Sequence, residues 1–333
     1  MIGAARSTCS ALAALLALVL LGAALAACGG SGGASGGASG GSYGSGAAAT
    51  APAGTPAAGS VHRDLAYGAD SPAQKLDLYL PPRGKAPYPV VIAIHGGGFI
   101  SGNKTDGQIA PVLEALGRGY AVAGLDYRLS PESHFPAAVS DVKTAIRWLR
   151  AHAGQYRLDG TRIALWGDSA GGNLAALAGT SGDTATLRGP HPADAGQSDR
   201  VQAVVDWFGP ISFLRTDHDF RVAGVSHASS TGPNSFLSQY LGAPLARVPG
   251  KVRAADPITY ITPDDPPILI EHGTADSTVP VGQSVRLAKA YAAGVGAGAV
   301  TLHLLKGAGH VDPAFYTKAH VNAVLDWLDA QLK

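Results

Sequence analysis

The sequence predicts an α/β fold with a mostly parallel central sheet and helices on both of its faces. Short, continuous apolar runs alternate with stretches of helical periodicity from Val61 to the C-terminus, as in proteins that bury a parallel sheet between helices. The first two predicted strands instead alternate apolar and polar residues, which indicates an antiparallel, half-exposed start. The chain of 333 residues is long enough for one large core even without its first 60 residues.

Eight strands are expected, at residues 61–67, 75–80, 89–94, 120–125, 162–166, 201–207, 267–271 and 300–305. The first two alternate in polarity, and the later ones are short apolar runs bounded by loop residues. Helices are expected at residues 109–118, 137–153, 173–178, 281–293 and 314–332. The second of these carries an apolar stripe at Val139, Val142, Ile146 and Leu149, and Pro136 marks its N-terminus.

Two stretches break this alternation. Between the sixth and seventh strands lie about sixty residues with no sheet pattern, and long segments of this kind in compact domains are usually lids or inserts. We therefore expect a small insert after the sixth strand, over residues 208–260. The second stretch, Ser181–Arg200, is polar and is predicted to be a solvent-facing loop.

Residues 1–27 are predicted to be a signal peptide. Arg6 supplies the positive charge, and the apolar run Ala11–Ala27 is too short to span a membrane comfortably. The run ends in Leu25-Ala26-Ala27-Cys28, which resembles the signal of bacterial lipoproteins. That resemblance implies that Cys28 is lipidated and becomes the new N-terminus after cleavage. The alternative is an ordinary secretory signal in which Cys28 is incidental.

Residues 28–60 are predicted to be a lipidated cysteine followed by a flexible tether. Gly29–Ala58 consists almost entirely of Gly, Ser, Ala, Thr and Pro, so it cannot bury enough apolar surface to offset its ordering entropy. The folded domain is expected over residues 61–333. We expect export and anchoring to the outer face of a bacterial membrane, with free secretion as the alternative.

Charge and cysteine usage exclude several classes of function. The 25 basic and 24 acidic side chains nearly cancel and form no basic run, so nucleic acid is not an expected partner. Both cysteines, Cys9 and Cys28, precede the folded domain, which therefore has neither disulfides nor a thiolate metal site. There is no HExxH motif, and we expect neither a metal ion nor a cofactor. The oligomeric state is not predicted.

The segment Gly167–Gly171 matches the motif G-x-S-x-G, which positions a nucleophilic serine at a sharp strand-to-helix turn. Four further matches, at 29–33, 33–37, 37–41 and 40–44, lie in the tether with no strand before them and no helix after. Only Ser169 follows a predicted strand and precedes a predicted helix, so it is the candidate nucleophile. The alternative is that this segment is merely a tight turn.

A candidate oxyanion hole follows the third predicted strand, at His95-Gly96-Gly97-Gly98-Phe99. Attack on an ester carbonyl builds negative charge on oxygen, which preorganised backbone N–H groups stabilise. Consecutive glycines let the backbone turn its amides inward, and the residue after the nucleophile supplies a further amide. We expect the donors to be Gly97, Gly98 and Ala170.

A serine nucleophile needs a base, and the base needs an acid that orients it. Among eleven histidines, His310 lies in the loop between the last strand and the closing helix. Asp276 lies in the loop after the preceding strand, which matches the chain order Ser, acid, His of one large class of hydrolases. Asp256 is the second candidate for the acid.

These motifs resemble those of the hormone-sensitive-lipase-like esterases and of the bacterial feruloyl-esterase-like (BD-FAE-type) α/β-hydrolases. The resemblance rests on His95–Phe99, Asp126–Glu132, Phe135–Ala138, Gly167–Gly172, Asp265–Pro267 and the loops of Asp276 and His310. It runs from about Val61 to the C-terminus and implies an α/β-hydrolase fold. The larger members of the first family carry an N-terminal helical cap, whereas Val61 leads almost directly into strands, which favours the second, compact group.

The resemblance implies a serine carboxylesterase that works through an acyl-enzyme. Its substrates would be short-chain acyl esters or acyl groups carried on carbohydrate. Alternatives are a serine peptidase of the same fold and a non-catalytic surface-binding lipoprotein. The aromatic residues Phe99, Trp207, Phe208 and Phe213 are candidates for an acyl pocket, although large aromatic residues more often belong to the core. Asp168 is interpreted as positional.

Overall fold

The computed structural model of the protein describes residues 57–333 except 192, 227 and 228. The predicted signal peptide, Cys28 and most of the tether lie outside the described residues. The strands are β1 (Val61–Ala66), β2 (Lys75–Tyr79), β3 (Tyr88–Ile94), β4 (Ala121–Leu125), β5 (Leu158–Asp168), β6 (Ala203–Trp207), β7 (Ile268–Gly273) and β8 (Val300–Leu305). They form one sheet in the order β1-β2-β4-β3-β5-β6-β7-β8.

The first strands of the sheet are antiparallel and the rest are parallel, as the sequence predicts. β2 pairs antiparallel with β1 and with β4. From β4 through β3, β5, β6 and β7 to β8, every neighbouring pair is parallel. The carboxyl ends of these parallel strands therefore meet along one edge of the sheet, where loops can bring their side chains together.

The α-helices are α1 (Ala110–Leu113), α2 (Ala137–Ala151), α3 (Ala153–Tyr156), α4 (Ala170–Thr180), α5 (Thr216–Ala223), α6 (Phe236–Leu241), α7 (Pro249–Ala254), α8 (Gly282–Gly294) and α9 (Lys318–Leu332). The predicted helix at 109–118 is a short α-helix between two 3₁₀ turns and ends at Gly119, whose φ is 84°. The closing helix begins at Lys318 rather than 314, because the Thr317 side chain accepts a hydrogen bond from the His320 amide and caps it there. No helix of the described residues has the length and apolar character to cross a membrane.

The core occupies both faces of the sheet, because successive side chains of a strand point to opposite sides. All seven residues of β3 are buried. Val90, Ile92 and Ile94 belong to the apolar cluster that includes residues of α2, α4 and α8, whereas Val91 and Ala93 belong to the cluster that includes residues of α1 and α9. The continuous apolar run of β3 thus reflects burial on both faces, which confirms the predicted fold class.

The predicted insert lies between β6 and β7 and contains α5, α6 and α7. Its α6 packs against the loop after β3, where the ring of Tyr240 stacks on the ring of Phe99 with centroids 3.8 Å apart. The amide of Phe135 donates a hydrogen bond of 2.8 Å to the Tyr240 carbonyl. The insert is therefore held against the loop that follows β3. This loop, His95–Phe99, is called the Gly97 loop below.

The irregular segment Ser181–Arg200 is anchored by buried charges rather than lying free in solvent. The carboxylate of Asp199 contacts the ammonium of Lys143 at 2.6 Å and the guanidinium of Arg147 at 3.0 Å, and all three side chains are fully buried. Asp199 also accepts a hydrogen bond of 2.7 Å from the Asp183 amide. This cluster, Lys143–Arg147–Asp199, holds the segment against α2.

Candidate active site

Ser169 occupies the sharp turn between β5 and α4. Its backbone has φ 52° and ψ −118°, a conformation that an L-residue adopts only under constraint. The two flanking glycines are required because the chain passes so close to itself. A Cβ on Gly167 would lie 2.1 Å from the Gly171 carbonyl oxygen, and a Cβ on Gly171 would lie 2.0 Å from that of Ile94. The Ser169 amide donates a 2.8 Å hydrogen bond to the Trp207 carbonyl, which fixes the turn against β6.

The structure brings Ser169, His310 and Asp276 together at the carboxyl edge of the sheet. The Oγ of Ser169 lies 2.9 Å from Nε2 of His310, and Nδ1 of His310 lies 2.6 Å from Oδ2 of Asp276. Ser169 follows β5, Asp276 follows β7 and His310 follows β8. Three loops that are distant in sequence therefore form one continuous hydrogen-bonded line.

The surroundings of Asp276 favour its ionised form. Burial raises the pKa of this carboxyl, but hydrogen bonds from His272 and His310 outweigh burial and hold the pKa below its usual range. Its Oδ1 accepts hydrogen bonds of 2.8 Å from the amides of Thr278 and Val279. An ionised carboxylate only accepts, so Nδ1 of His310 carries the proton and Nε2 is left to accept from the Ser169 hydroxyl.

His272 is a second imidazole on Asp276, and sequence reasoning missed it. Its Nε2 lies 3.3 Å from Oδ2 of Asp276 and 2.9 Å from the carbonyl oxygen of Val279. Because a carbonyl only accepts, Nε2 carries a proton, and Nδ1 accepts from the Ser284 hydroxyl at 2.6 Å. The side chain is fully buried. Its position four residues before Asp276, at the end of a strand, was the available signal.

The Gly97 loop follows β3, which is a neighbour of β5 in the sheet. Gly97 and Gly98 have φ values of 96° and 62°, and a Cβ on Gly97 would lie 2.2 Å from the Ser101 carbonyl oxygen. Within the part of the chain that the structure describes, the N–H groups of Gly97 and Gly98 donate to no acceptor. Ala170 is the first residue of α4, and the N–H groups in the first turn of a helix have no partner within it.

Asp256, the second candidate for the acid, lies elsewhere. Its carboxylate accepts from the Ser212 hydroxyl at 2.7 Å and from the Ile258 amide at 2.9 Å, and so caps a 3₁₀ turn in the insert.

No group of three His, Cys, Asp or Glu side chains among the described residues is arranged to hold a metal ion.

Residues 76–291, more than half of the chain, match the sequence model of the BD-FAE family. The chain belongs to the BD-FAE family. Its predicted resemblance to the compact, feruloyl-esterase-like group is thereby confirmed, and the fold is that of the α/β-hydrolases.

The relatives of this BD-FAE chain are named esterases. Esterase LipC of Mycobacterium tuberculosis is 32% identical over 255 residues, covering 75% of the chain and 60% of LipC. A truncated carbohydrate esterase from gut microbiota is 30% identical with a TM-score of 0.73, covering 82% of the chain and 96% of that protein. Est2 of Thermogutta terrifontis, with butyrate bound, is 26% identical with a TM-score of 0.61, covering 81% and 92%. The chain spans about half to three fifths of the curated relatives it matches.

Asp168 precedes the candidate nucleophile of this BD-FAE chain and is buried. Burial raises the pKa of its carboxyl to about 8, which favours the neutral form at pH 7. Its Oδ2 has no hydrogen-bond partner among the described residues. Asp168 contacts none of the three residues of the hydrogen-bonded line through its side chain, which is consistent with a positional role.

The four aromatic residues predicted for an acyl pocket are all buried in the BD-FAE domain. The ring of Phe213, which belongs to the insert, lies with its centroid 6.4 Å from that of Phe99. Trp207 packs on the α9 side of the sheet and donates from Nε1 to Oε2 of Glu271 at 2.6 Å. The ring of Phe208 lies 4.8 Å from the ring of His310 and so braces the imidazole. Whether any of them contacts substrate stays a prediction.

A cleft of about 490 Å³ opens beside Asp276, between its loop and the insert. Ser277, Thr278 and Asn234 line it and are exposed, and their side-chain polar groups make no hydrogen bond with other described residues. The ring of Phe236 forms part of the wall, and a Cβ on Gly98 would lie 3.3 Å from the Phe236 side chain. This cleft, called the hydroxyl cleft below, therefore lies between the Asp276 loop and the insert, and Phe236 in its wall lies next to Gly98.

Proposed function

We propose that this BD-FAE protein is a carboxylic ester hydrolase, with Ser169 as nucleophile, His310 as general base and then acid, and Asp276 as the residue that orients His310. The observation that carries the proposal is the unbroken line of short hydrogen bonds from Ser169 Oγ to Asp276 Oδ2. The names of the relatives, all esterases, support the same reaction class.

In the proposed acylation, Ser169 Oγ attacks the ester carbonyl while its proton moves to Nε2 of His310. The new C–O bond leaves a negative charge on the former carbonyl oxygen, and the amides of Gly97, Gly98 and Ala170 donate to it. When the tetrahedral intermediate collapses, the bond to the alcohol oxygen breaks and His310 returns the proton to that oxygen. Preorganised amides of this kind contribute about 10²–10³ in rate each.

Deacylation repeats these steps with water. Nε2 of His310 takes a proton from the water as its oxygen attacks the acyl carbonyl, and the proton then returns to Ser169 Oγ as the carboxylic acid leaves. Asp276 stays ionised throughout and stabilises the imidazolium that forms at each step.

We further propose short acyl groups carried on carbohydrate as the substrate class. The hydroxyl cleft supports a polyhydroxylated alcohol, because exposed Ser, Thr and Asn side chains can donate to and accept from sugar hydroxyls, and the ring of Phe236 offers an apolar face. Among the similar structures, the carbohydrate esterase supports the carbohydrate alcohol of this substrate, and the butyrate-bound esterase supports its short acyl group.

The test is hydrolysis of p-nitrophenyl esters, from acetate to palmitate, by the full chain and by Ser169→Ala. We expect activity that is greatest on short acyl chains and absent in the variant. Acetylated and feruloylated oligosaccharides, compared with simple alkyl esters of the same acids, then test the carbohydrate half. Equal activity in Ser169→Ala would refute the nucleophile, and faster turnover of a matched amide would favour a peptidase.

We also propose that a lipid on Cys28 holds the enzyme at the outer face of a bacterial membrane. The support is the sequence Leu25-Ala26-Ala27-Cys28 and the Gly- and Ser-rich stretch that follows it. Cys28→Ser should move the enzyme from the membrane fraction to the soluble fraction, with its specific activity unchanged. Membrane association that survives this substitution would contradict the anchor.

A further inference from the structure

A second cleft, of about 610 Å³, lies between the insert and α8 and shares no lining residue with the hydroxyl cleft. Its lining includes the apolar side chains of Phe213, Leu214, Val252 and Ile258. Leu214 is 56% exposed, so its side chain presents apolar surface at the cleft. The volume is within the range of about 300–1,000 Å³ that is typical of small-molecule sites.

The charged side chains that line this cleft are mostly basic. Arg215, Arg253 and Lys289 are exposed and have no ion-pair partner among the described residues. Arg286 pairs with Asp219 at 2.6 Å, and its Nε is buried without a hydrogen-bond partner in the part of the chain that the structure describes. The rim of the cleft therefore carries uncompensated positive charge above an apolar lining.

The acidic and hydroxyl groups of the cleft are already engaged. Asp256 is its one acidic lining residue, and its carboxylate accepts from the Ser212 hydroxyl at 2.7 Å. The Thr259 hydroxyl donates to the Arg253 carbonyl at 2.7 Å. A sugar would find few free partners here, in contrast to the hydroxyl cleft.

We propose that this cleft binds the anion of a medium-chain fatty acid, with the carboxylate among Arg215, Arg253 and Lys289 and the chain against Leu214 and Ile258. Opposite charge accounts for the head group, and the apolar lining accounts for the chain. A small anion such as phosphate would leave the apolar lining in water, and an alcohol would leave the cations without a partner. The inference goes beyond the proposed ester hydrolysis and does not depend on it, because binding is measured without turnover.

The experiment is isothermal titration calorimetry of octanoate into the full chain, repeated after Ser169 has been blocked with a fluorophosphonate. Blocking keeps the ligand from occupying the acyl position next to Ser169. We expect saturable binding that the blocking step leaves unchanged, and weaker binding of butyrate and of octanol. If Ser169 resists the reagent, the proposed nucleophile fails, whereas the titration of the unlabelled chain still tests the cleft.

The variants locate the ligand. Arg253→Gln/Lys289→Gln should raise the Kd for octanoate at least tenfold, and Leu214→Glu should do the same by placing a carboxylate at the mouth. Lys85→Gln, which removes an exposed cation outside the cleft, should leave the Kd unchanged. An absence of binding, an equal loss in Lys85→Gln, or octanol binding as tightly as octanoate would each overturn the proposal. Displacement of octanoate by phosphate at similar concentrations would overturn the claim that the apolar lining binds the hydrocarbon chain.

Discussion

Nε2 of His272 lies 3.3 Å from Oδ2 of Asp276, the same oxygen that Nδ1 of His310 contacts at 2.6 Å. Two imidazoles therefore converge on one carboxylate oxygen. The amides of Thr278 and Val279 hold the other oxygen. Asp276 is thus fixed from several directions, and its carboxylate has little freedom to rotate away from His310.

Loss of His272 should slow turnover without weakening substrate binding. In His272→Ala the orientation of Asp276 is relaxed, and we expect kcat to fall about tenfold, which corresponds to about 1.4 kcal/mol of transition-state stabilisation. KM for a p-nitrophenyl ester should stay within twofold. His272→Gln is the matched control, because its amide N–H can reach toward the same oxygen, and it should recover most of kcat. Equal kcat in the alanine variant and the parent would mean that His272 is only a packing residue.

Replacing Asp276 with asparagine should nearly abolish turnover. The amide can donate to Nδ1 of His310 and so favour the tautomer in which Nε2 carries the proton, which cannot accept from Ser169. A drop of about 10⁴ in kcat is typical for this change in serine hydrolases. Asp256→Asn is the control, because it makes the same change from carboxylate to amide, and its turnover should remain close to that of the parent. The measurement is steady-state kinetics on a short-chain ester. Loss of turnover in Asp256→Asn, with turnover kept in Asp276→Asn, would assign the orienting acid to Asp256 instead.

The Gly97 loop should tolerate no side chain at its first turn. A Cβ on Gly97 would lie 2.2 Å from the Ser101 carbonyl oxygen, and its φ of 96° is unfavourable for any other residue. Gly97→Ala should therefore displace the loop and lower kcat by about 10²–10³, the effect of losing one oxyanion donor. Gly117→Ala, where a Cβ has no neighbour within 4 Å, is the control and should keep full activity. A Gly97→Ala enzyme with unchanged kcat would exclude this loop from the oxyanion hole.

Asp168 should make the protein less stable as pH rises. Its folded-state pKa of about 8 is above the ordinary value of 3.8, so the folded protein holds a proton that the unfolded chain has released. Between about pH 4 and pH 8 the unfolded state binds fewer protons, and stability therefore falls with rising pH. Asp168→Asn has no ionised form, and its Tm should exceed that of the parent at pH 8 and approach it at pH 4. A Tm difference that is independent of pH would show that Asp168 is ionised when folded.

Much of the site follows from the order of elements along the chain. Ser169, Asp276 and His310 each follow a predicted strand, and parallel strands end at one edge, so their convergence was predictable before any distance was known. The sharp turn at Ser169 was also predictable, because Gly167–Gly171 matches the G-x-S-x-G motif between a predicted strand and a predicted helix. Motif and strand order together carry this information.

His272 and the Lys143–Arg147–Asp199 cluster were not predictable in the same way. The role of His272 depends on a backbone path that returns Asp276 to its ring, which spacing alone does not determine. Asp199 lies in a polar stretch that has the composition of a solvated loop, and only the position of α2 makes it a buried ion. For Asp199 the deciding contact is between segments whose relative placement comes from packing, whereas for His272 it depends on the local path of the loop after β7.

The burial of Asp199 between Lys143 and Arg147 has a consequence for how this domain changes through evolution. Replacing Asp199 alone would leave two buried cations uncompensated, a loss of about 3–5 kcal/mol for the first broken pair. A single substitution at any of the three positions therefore produces a protein that is less stable than its parent. We expect descendants either to inherit all three residues or to exchange them together for an apolar set.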